Sequence, residues 1–189
     1  METLETLFHS FETGIRNAKA SKPREYLKNI GLDYNEMRIG FNSGQFHHRE
    51  SQEFKDRFEV LGMLVKSEAP VNKEGLTAYT VFGRYGVVFP LVNSQNEIVN
   101  YFAIRFELDT PKEEYLNQEG IYPAYPHPLT KRLFIVPTVL DGASLLQSKA
   151  LENREAVIAL HNGQLLPQHQ EAIKALSELE EIIILKIIT

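Results

Sequence analysis

The segment Arg132–Leu146, RLFIVPTVLDGASLL, constrains the fold of this chain more than any other stretch. It indicates an apolar strand, a tight turn and a helix that carries Asp141 in its first turn. In open α/β sheets, ligands gather at the carboxyl ends of strands, where helix N-termini add a positive dipole. Because an acidic residue at such a turn is a common holder of a metal or a phosphate group, Asp141 is the first candidate functional residue.

The composition allows a packed core and argues against disulfide bonds and cysteine-ligated zinc sites. Hydrophobic residues make up 43% of the 189 positions, enough for one ordinary domain or a domain with a second, smaller lobe. The sequence has no cysteine, so we expect neither a disulfide nor a cysteine-ligated zinc site. The formal net charge of −5 argues against bulk attraction for nucleic acid but leaves a local basic groove open.

The sequence shows no signal for a membrane or a secretory route. No apolar run approaches the roughly 20 residues that cross a bilayer, and METLETLFHSFETG lacks the basic start and apolar stretch of a secretory signal. We therefore expect a cytoplasmic protein without a membrane partner. The chain also lacks the Gly-x-Ser-x-Gly, Walker and dinucleotide motifs, which removes the commonest hydrolase, nucleoside-triphosphatase and dehydrogenase interpretations.

Apolar spacing predicts helices in the first third of the chain. A stripe at intervals of three and four begins at Leu4 and ends at Ile15, which is typical of an amphipathic helix. Pro23 opens a second short helix that Gly31 can end, and RIGFNSGQFHHR then indicates a short strand that runs into a polar loop. Glu53–Val65 again has helical spacing, and Lys66–Gly75 is polar enough for a surface loop.

The middle of the chain has the pattern of an antiparallel hairpin. Tyr85–Val92 and Glu97–Phe106 are rich in β-branched and aromatic residues, and the Asn-Ser-Gln-Asn between them is turn chemistry. Pro90 should lie near an edge or a bulge, because proline cannot donate to a strand ladder. Residues 107–131 contain four prolines and predict an irregular crossover rather than a regular element.

The last third predicts a parallel sheet covered on both faces, because its strands are apolar throughout and alternate with helices. The elements are strand Leu133–Val136, helix Leu140–Ala150, strand Ala156–Leu160, helix Pro167–Leu179 and strand Glu181–Ile188. The fold class is therefore α/β, with a mixed α+β N-terminal lobe over residues 1–131 and a parallel βαβαβ lobe over residues 132–189.

Four stretches in this order resemble the catalytic core of bacterial DnaG-type DNA primases, and most closely the primase-like proteins of mobile elements. They are YLKNIGLD, the hairpin YGVVFPLVNSQNEIVNYFAIRFE, the tripeptide YLN at Tyr115–Asn117 and the turn after RLFIV. The resemblance covers the chain from about Pro23 to its end. It implies a primase-type N-terminal lobe, followed by the beginning of a toprim domain, and a role in DNA replication.

The resemblance also implies a magnesium site that these residues do not complete. The family has a glutamate at the end of the first toprim strand, where this chain has Pro137, and a following position that matches Asp141. The third strand of the family ends in an Asp-x-Asp pair, whereas this chain continues through Lys186. Two-metal phosphoryl transfer needs several converging carboxylates, so the resemblance predicts a degenerate or incomplete active site with no bound Mg²⁺.

Two features near the predicted strand ends each allow a functional and a structural interpretation. Asp141 is the surviving acidic candidate for a metal ligand, but aspartate is also a routine cap for a helix that begins near Leu140. His161-Asn162-Gly163 is a candidate phosphate loop, but Asn-Gly is also an ordinary turn signal. The structural interpretation is the safer one in both cases.

The resemblance assigns nucleic-acid contact to basic residues of the hairpin and crossover, namely Arg84, Arg105, Lys131 and Arg132. Phosphate contacts need positive charge, and neighbouring aromatic residues can stack bases in a single-strand groove. Scattered arginines nevertheless more often solvate a surface. The pair His47-His48 has no third ligand spaced near it and predicts a loop or surface pair rather than a metal site.

The sequence supports two functional hypotheses of different classes. The first is a primase-related protein that binds single-stranded DNA or nucleotides and acts with replication or mobile-element proteins, without making primers on its own. The second is a non-catalytic interaction module, in which the parallel sheet serves as a scaffold and the apolar N-terminal helix docks a partner. Metal-dependent nuclease or phosphatase chemistry on Asp141 ranks last, because partner carboxylates are missing from the strand ends.

Overall fold

The computed structural model describes residues 3–67, 78–106 and 111–185, and these form a mixed α/β fold with an antiparallel and a parallel sheet. The predicted fold class is confirmed. The α-helices are α1 (Leu4–Gly14), α2 (Ser21–Asn29), α3 (Gln52–Val60), α4 (Val139–Gln147) and α5 (Pro167–Lys174). The strands are β1 (Gly40–Asn42), β2 (Leu64–Lys66), β3 (Tyr79–Val81), β4 (Gly86–Val92), β5 (Ile98–Arg105), β6 (Lys112–Tyr115), β7 (Arg132–Val136), β8 (Glu155–Ala159) and β9 (Glu181–Ile184).

The first helix forms and packs as its apolar spacing predicts. Thr3 and Thr6 make a reciprocal capping box, and the predicted stripe is buried from Leu4 to Phe11. The hydroxyl of Tyr101 on β5 donates a hydrogen bond to the carbonyl of Leu4, which ties the start of α1 to the sheet. The apolar face that the second hypothesis assigned to a partner is therefore used inside this molecule.

The predicted hairpin is the centre of a four-stranded antiparallel sheet with the order β1-β4-β5-β6. As predicted, Pro90 lies at an irregular place: β1 pairs with β4 only from Gly86 to Val88, and the register shifts at Leu91/Val92. The first face of this sheet, here called the α1 face, packs Val88 and Ala103 against α1 and α3. The opposite face, here called the α4 face, packs Phe89 and Phe102 against α2 and α4.

Two predictions about regular elements are wrong. The predicted helix Glu53–Val65 ends at Val60, because Gly62 turns the chain at φ +78° and the following residues pair with β3 as strand β2. Residues 107–131 are not wholly irregular, since β6 forms there and pairs with β5. The predicted surface loop Lys66–Gly75 begins inside β2, and its residues from 68 onward lie outside the described part of the chain.

The parallel sheet follows the predicted element order, with strands arranged β8-β7-β9. Helix α4 ends at Gln147 and α5 at Lys174, so both are shorter than predicted. Residues 186–189 of the last predicted strand lie outside the described residues. Helix α4 packs Val139 and Ala143 into the core that it shares with the antiparallel sheet, and α5 covers the opposite face of the parallel sheet.

One hydrophobic core crosses residue 131. It contains Phe89 and Phe102 of the antiparallel sheet together with Val136 and Ala159 of the parallel sheet. A backbone bridge between Tyr122 and Ala159 also connects the crossover to β8. The division of the chain at residue 131 stays a prediction.

Helix α1 and strand β1 approach each other too closely for side chains at two positions. A Cβ at Gly40 would lie 2.5 Å from the Cβ of Phe11, and a Cβ at Gly14 would lie 2.8 Å from the carbonyl oxygen of Phe41. Glycine at both positions therefore allows the backbones to meet.

In the three described ranges, no helix has the length and apolarity needed to span a membrane.

Candidate functional site

Strand β6 directs its residues alternately to the two faces of the antiparallel sheet. Tyr115 faces the parallel sheet, where its ring stacks on His161 at 4.4 Å between centroids. Glu114 faces the other way: its Oε1 accepts a 2.8 Å hydrogen bond from the backbone of Gly83, and its Oε2 lies 3.5 Å from Nη1 of Arg105. The sequence predicts an irregular crossover here, so neither β6 nor this division between its two faces was expected.

Asp141 caps helix α4. Its Oδ2 accepts hydrogen bonds from the hydroxyl of Thr138 at 2.7 Å and from the backbone N–H of Thr138 at 3.1 Å. In return, the Thr138 hydroxyl accepts a bond from the backbone N–H of Asp141. This is a reciprocal capping box, so the structural interpretation of Asp141 has a direct observation behind it.

Glu113 is a second carboxylate on the side of Asp141. Partial burial and then repulsion from the Asp141 carboxylate raise the pKa of Glu113 above its usual value, although its side chain keeps an exposed surface. The sequence predicts that partner carboxylates are missing from the strand ends, and Glu113 lies within β6 at the edge of the antiparallel sheet rather than at one of those ends.

Three aromatic side chains, Tyr115, His161 and His169, form a buried polar cluster beside this acidic pair. The rings of His161 and His169 lie 5.4 Å apart in a perpendicular arrangement. Tyr115 Oη, His161 Nε2 and His169 Nε2 are buried, near the backbone of Asn162, Gly120 and Ala159 respectively. Burial and then the neighbouring His161 lower the pKa of His169 to about 4, so both rings are neutral at pH 7.

His161-Asn162-Gly163 forms a tight turn at the end of β8. Asn162 and Gly163 have φ values of +49° and +80°, and the backbone N–H of Gly163 donates a 2.8 Å bond to the carbonyl of Pro137. Because that N–H is already used, the turn has one donor fewer for a phosphate. The observed geometry favours the ordinary turn over the candidate phosphate loop.

The YLN tripeptide also fixes the crossover. Asn117 donates its backbone N–H to Oδ1 of the fully buried Asn100, and Nδ2 of Asn100 donates to the carbonyl of Asn117, each at 3.0 Å. The side-chain amide of Asn117 donates to the carbonyl of Val99 at 2.9 Å. This network anchors the segment that follows β6 to β5, and so it positions Tyr115.

The four predicted basic residues do not lie together. Arg84 is exposed in the turn before β4, and Arg105 ends β5 opposite Gly86, so both belong to one end of the antiparallel sheet. Lys112 is opposite Arg105 on β6 and was missed, because that strand was not predicted. Nucleic-acid contact by these residues stays a prediction.

The other two predicted basic residues lie at the amino end of β7, away from the carboxyl ends where Asp141 follows. Lys131 pairs with Glu180, and Arg132 pairs with Glu155 at 2.6 Å and with Glu181 at 2.7 Å. Their positive charges are therefore matched by neighbouring carboxylates. Their contact with nucleic acid stays a prediction.

The His47-His48 pair lies in a loop, as predicted, but only half of it is on the surface. His48 is exposed, whereas His47 is 93% buried, with its ring 5.7 Å from that of Tyr79. Burial and then the nearby positive groups, His48 first, lower the pKa of His47 to about 4.

The residues present do not fit a two-metal magnesium site. Magnesium takes six oxygen ligands in near-octahedral geometry, and two-metal chemistry needs several carboxylates around one point. Within the described ranges, no three side chains of histidine, cysteine, aspartate or glutamate converge in a way that could hold a metal. Asp141 and Glu113 supply two carboxylates, and one oxygen of Asp141 is engaged in the helix cap.

Sequence comparisons identify no relative: no family model and no curated protein matches this chain. Comparison of the fold gives strong matches to solved primase structures. A DnaG primase catalytic domain bound to single-stranded DNA matches with a TM-score of 0.74 and 18% identity, over 95% of this chain and 58% of that one. A DNA primase domain from Pseudomonas aeruginosa matches with a TM-score of 0.72 and 16% identity, over 96% and 59%.

A third match is the RNA polymerase domain of Mycobacterium tuberculosis primase DnaG, solved with a double-stranded DNA oligomer that has a 6-nucleotide overhang. It gives a TM-score of 0.71 and 14% identity, over 94% of this chain and 60% of that one. This chain thus spans less than two thirds of each of these primase chains. Its described residues have the fold of DnaG-type primase catalytic cores.

Proposed function

We propose that this chain is a DNA-primase-related protein that binds single-stranded DNA and does not make primers by itself. The observation that carries the proposal is the likeness of 95% of the chain to a primase catalytic domain solved with single-stranded DNA. The exposed Arg84, together with Arg105 and Lys112 at the same end of the antiparallel sheet, supports phosphate contact there. A toprim identity of the parallel sheet and a mobile-element origin are further parts of this proposal.

The residues near the predicted metal position support the proposal that this chain does not make primers by itself. Primer synthesis requires a 3′ hydroxyl to attack the α-phosphate of a nucleoside triphosphate and release pyrophosphate, while metal ions held by carboxylates neutralise the charge of the phosphates. This chain has Pro137 where the resemblance implies a glutamate, and Asp141 is used as a helix cap. Two carboxylates with one oxygen already engaged are a weak basis for that chemistry.

Binding is tested by fluorescence anisotropy of a labelled 12-nucleotide single strand between 50 and 300 mM salt. The affinity should fall as salt rises, and the slope should shrink by about 0.7 for each phosphate contact removed. We expect Arg84→Ala combined with Arg105→Gln to weaken binding roughly tenfold at 100 mM salt. Lys174→Ala, which removes an exposed cation from α5, is the matched control and should change little.

Two results would overturn the proposal. The first is an affinity that neither salt nor the arginine changes alter, or no binding at all. The second is the appearance of primers when the purified chain is given a single-stranded template, ribonucleotides and Mg²⁺. A contaminating polymerase is controlled with Asp141→Asn purified in the same way, because primers that depend on this chain's own carboxylate would be lost in that variant.

The alternative interaction module has support from a different surface than the one first assigned to it. The apolar face of α1 is buried, but β9 leaves Ile182 44% exposed and Ile184 65% exposed. A salt-insensitive self-association or a stable complex, lost on replacing Ile184 with threonine and without DNA binding, would favour this alternative. Sedimentation of the unaltered chain and the Ile184→Thr variant distinguishes it from the primase-related proposal.

A further inference from the structure

A cavity of about 550 Å³ opens on the α1 face, between α1, α3 and the segment 42–50. Its volume is within the roughly 300–1,000 Å³ of small-molecule sites. The cavity has an aromatic lining. The lining phenylalanines are Phe11, Phe41, Phe46, Phe54 and Phe58.

Two of these phenylalanines differ from the others because they keep part of their surface accessible. Phe46 and Phe54 are half-buried, with ring centroids 6.3 Å apart, whereas Phe11 and Phe58 are buried beneath them. Phe46 is held in place by edge contacts with Phe11 at 6.1 Å and Phe58 at 5.6 Å. A flat ring entering the cavity would therefore meet positioned aromatic surfaces.

The mouth of the cavity is polar and suits the edge of a base. Lys19 Nζ donates a 3.0 Å hydrogen bond to Oε1 of Gln45 across it, and Asn17 and Ser43 also line the cavity. Amide and hydroxyl groups can donate and accept, so they tolerate the different edges of the bases. Glu50 is the one carboxylate of the lining, and it would oppose a phosphate.

Positive groups border the cavity on the other side of the same segment. The side-chain stem of Arg84 lies over Gly44, where a Cβ would come within 2.6 Å of Arg84 Cγ. His47 is three residues further along, and burial, followed by the neighbouring His48, Lys55 and Arg84, lowers its pKa. Segment 42–50 thus has an aromatic cavity on one side and a cationic border on the other.

We propose that this cavity receives one unpaired base of single-stranded DNA, while the adjoining phosphates contact Arg84 and Lys55. The inference rests on the proposed function and adds a base-stacking site to it. Stacking on aromatic side chains is tolerant of sequence, because every base has a π face, whereas the cations act on the backbone alone. The site therefore distinguishes an unpaired base from an abasic strand.

The test compares two DNA ligands and matched variants by fluorescence anisotropy. The ligands are a 12-nucleotide oligothymidylate and the same strand with all bases removed. Phe46→Leu combined with Phe54→Leu keeps most of the apolar volume but removes the π faces. We expect about a tenfold loss of affinity for oligothymidylate and less than a twofold change for the abasic strand.

Phe8→Leu is the control, because Phe8 belongs to the same aromatic cluster and does not line the cavity. Its affinity for both strands should match that of the unaltered chain, and near-UV circular dichroism checks that each variant is folded. Glu50→Gln should strengthen oligothymidylate binding severalfold, because it removes the opposing charge. This gain cannot come from a folding defect.

The outcomes separate the two proposals. If the unaltered chain binds oligothymidylate but the double leucine variant binds equally well, the cavity inference is overturned and the proposed function stands. An equal loss for the thymidylate and abasic strands also overturns it, since stacking cannot act on an abasic strand. If the unaltered chain binds neither strand, the proposed function and the inference fail together.

Discussion

The two faces of the antiparallel sheet carry different chemistry. On the α4 face, Tyr115 stacks on His161, and burial followed by repulsion from Asp141 raises the pKa of Glu113, so the groups there are acidic or neutral. On the α1 face, Arg84 borders an aromatic cavity. The cationic groups near the cavity and the acidic groups near the predicted metal position are thus separated by a sheet, so one set can change without the other.

The largest expected effect tests whether the α4 face joins the two sheets. Phe102 is fully buried in the core that includes Val136 and Ala159, so Phe102→Ala should cost about 3–5 kcal/mol of unfolding free energy. Urea denaturation measures that cost, and amide hydrogen exchange should become faster in β7 as well as in β5.

The neighbouring Tyr101→Phe is the matched change on the α1 face. It removes the hydrogen bond to the Leu4 carbonyl without opening a cavity, so we expect a loss of about 1–2 kcal/mol. If amide hydrogen exchange in β7 is unchanged in Phe102→Ala, the shared core does not couple the two sheets. The antiparallel and parallel sheets would then unfold independently.

The next largest expected effect is a loss of folding stability at acidic pH, caused by His169. Burial and His161 hold the pKa of His169 at about 4, below the 6.5 of an unfolded chain, so the unfolded state binds more protons between these values. Stability that is present above pH 6.5 is therefore lost as the pH falls towards 4. We expect His169 to contribute about 1–2 kcal/mol of this loss.

His169→Gln removes this titration and keeps a residue type that can accept the bond from the Leu166 backbone. Thermal unfolding between pH 7.5 and 4.5 should therefore show a flatter stability profile. His9→Gln, which changes an exposed histidine on α1, is the control and should leave the profile nearly unchanged. A profile for His169→Gln as steep as that of the unaltered chain would assign the acid sensitivity to other groups, with His47 next.

The smallest effect concerns the acidic pair. Asp141→Asn weakens the cap of α4 and should cost about 1 kcal/mol. It also removes the charge that repels Glu113, so the pKa of Glu113 should fall towards its usual value in a carboxyl-detected NMR titration. If the pKa of Glu113 does not move, the two carboxylates do not interact, and Asp141 is a cap alone.

The sequence predicts those elements whose apolar pattern decides their packing. The stripe from Leu4 to Ile15, the central hairpin and strands β7 and β8 are confirmed because each buries the apolar residues that define its pattern. Strand β9 also forms, although Ile182 and Ile184 stay exposed. Strand β6 escapes prediction because it lies at a sheet edge, where KEEY needs no apolar alternation. Helix α3 ends earlier than its spacing suggests, because Gly62 turns the chain and Leu64 is buried in a strand instead.

The roles of the site residues are harder to predict, because they depend on which helices and strands pack against each other. Asp141 is recognisable as a cap or a ligand, but its neighbour Glu113 comes from a strand 28 positions earlier in the sequence. Arg132 looks like a cation available to DNA until β7 is paired with β8 and β9, whose glutamates neutralise it. These neighbours follow from the order of the strands in the two sheets. Composition and residue spacing do not reveal that order.

Gly40 has a consequence for how this chain can vary. Any side chain there would push α1 off the sheet, whereas exposed acids and bases can be exchanged at little cost to the fold. We therefore expect divergent relatives to keep glycine at this position even where their charged residues have drifted apart. A pattern of fixed small residues, rather than a shared reaction centre, would then be the lasting mark of common ancestry.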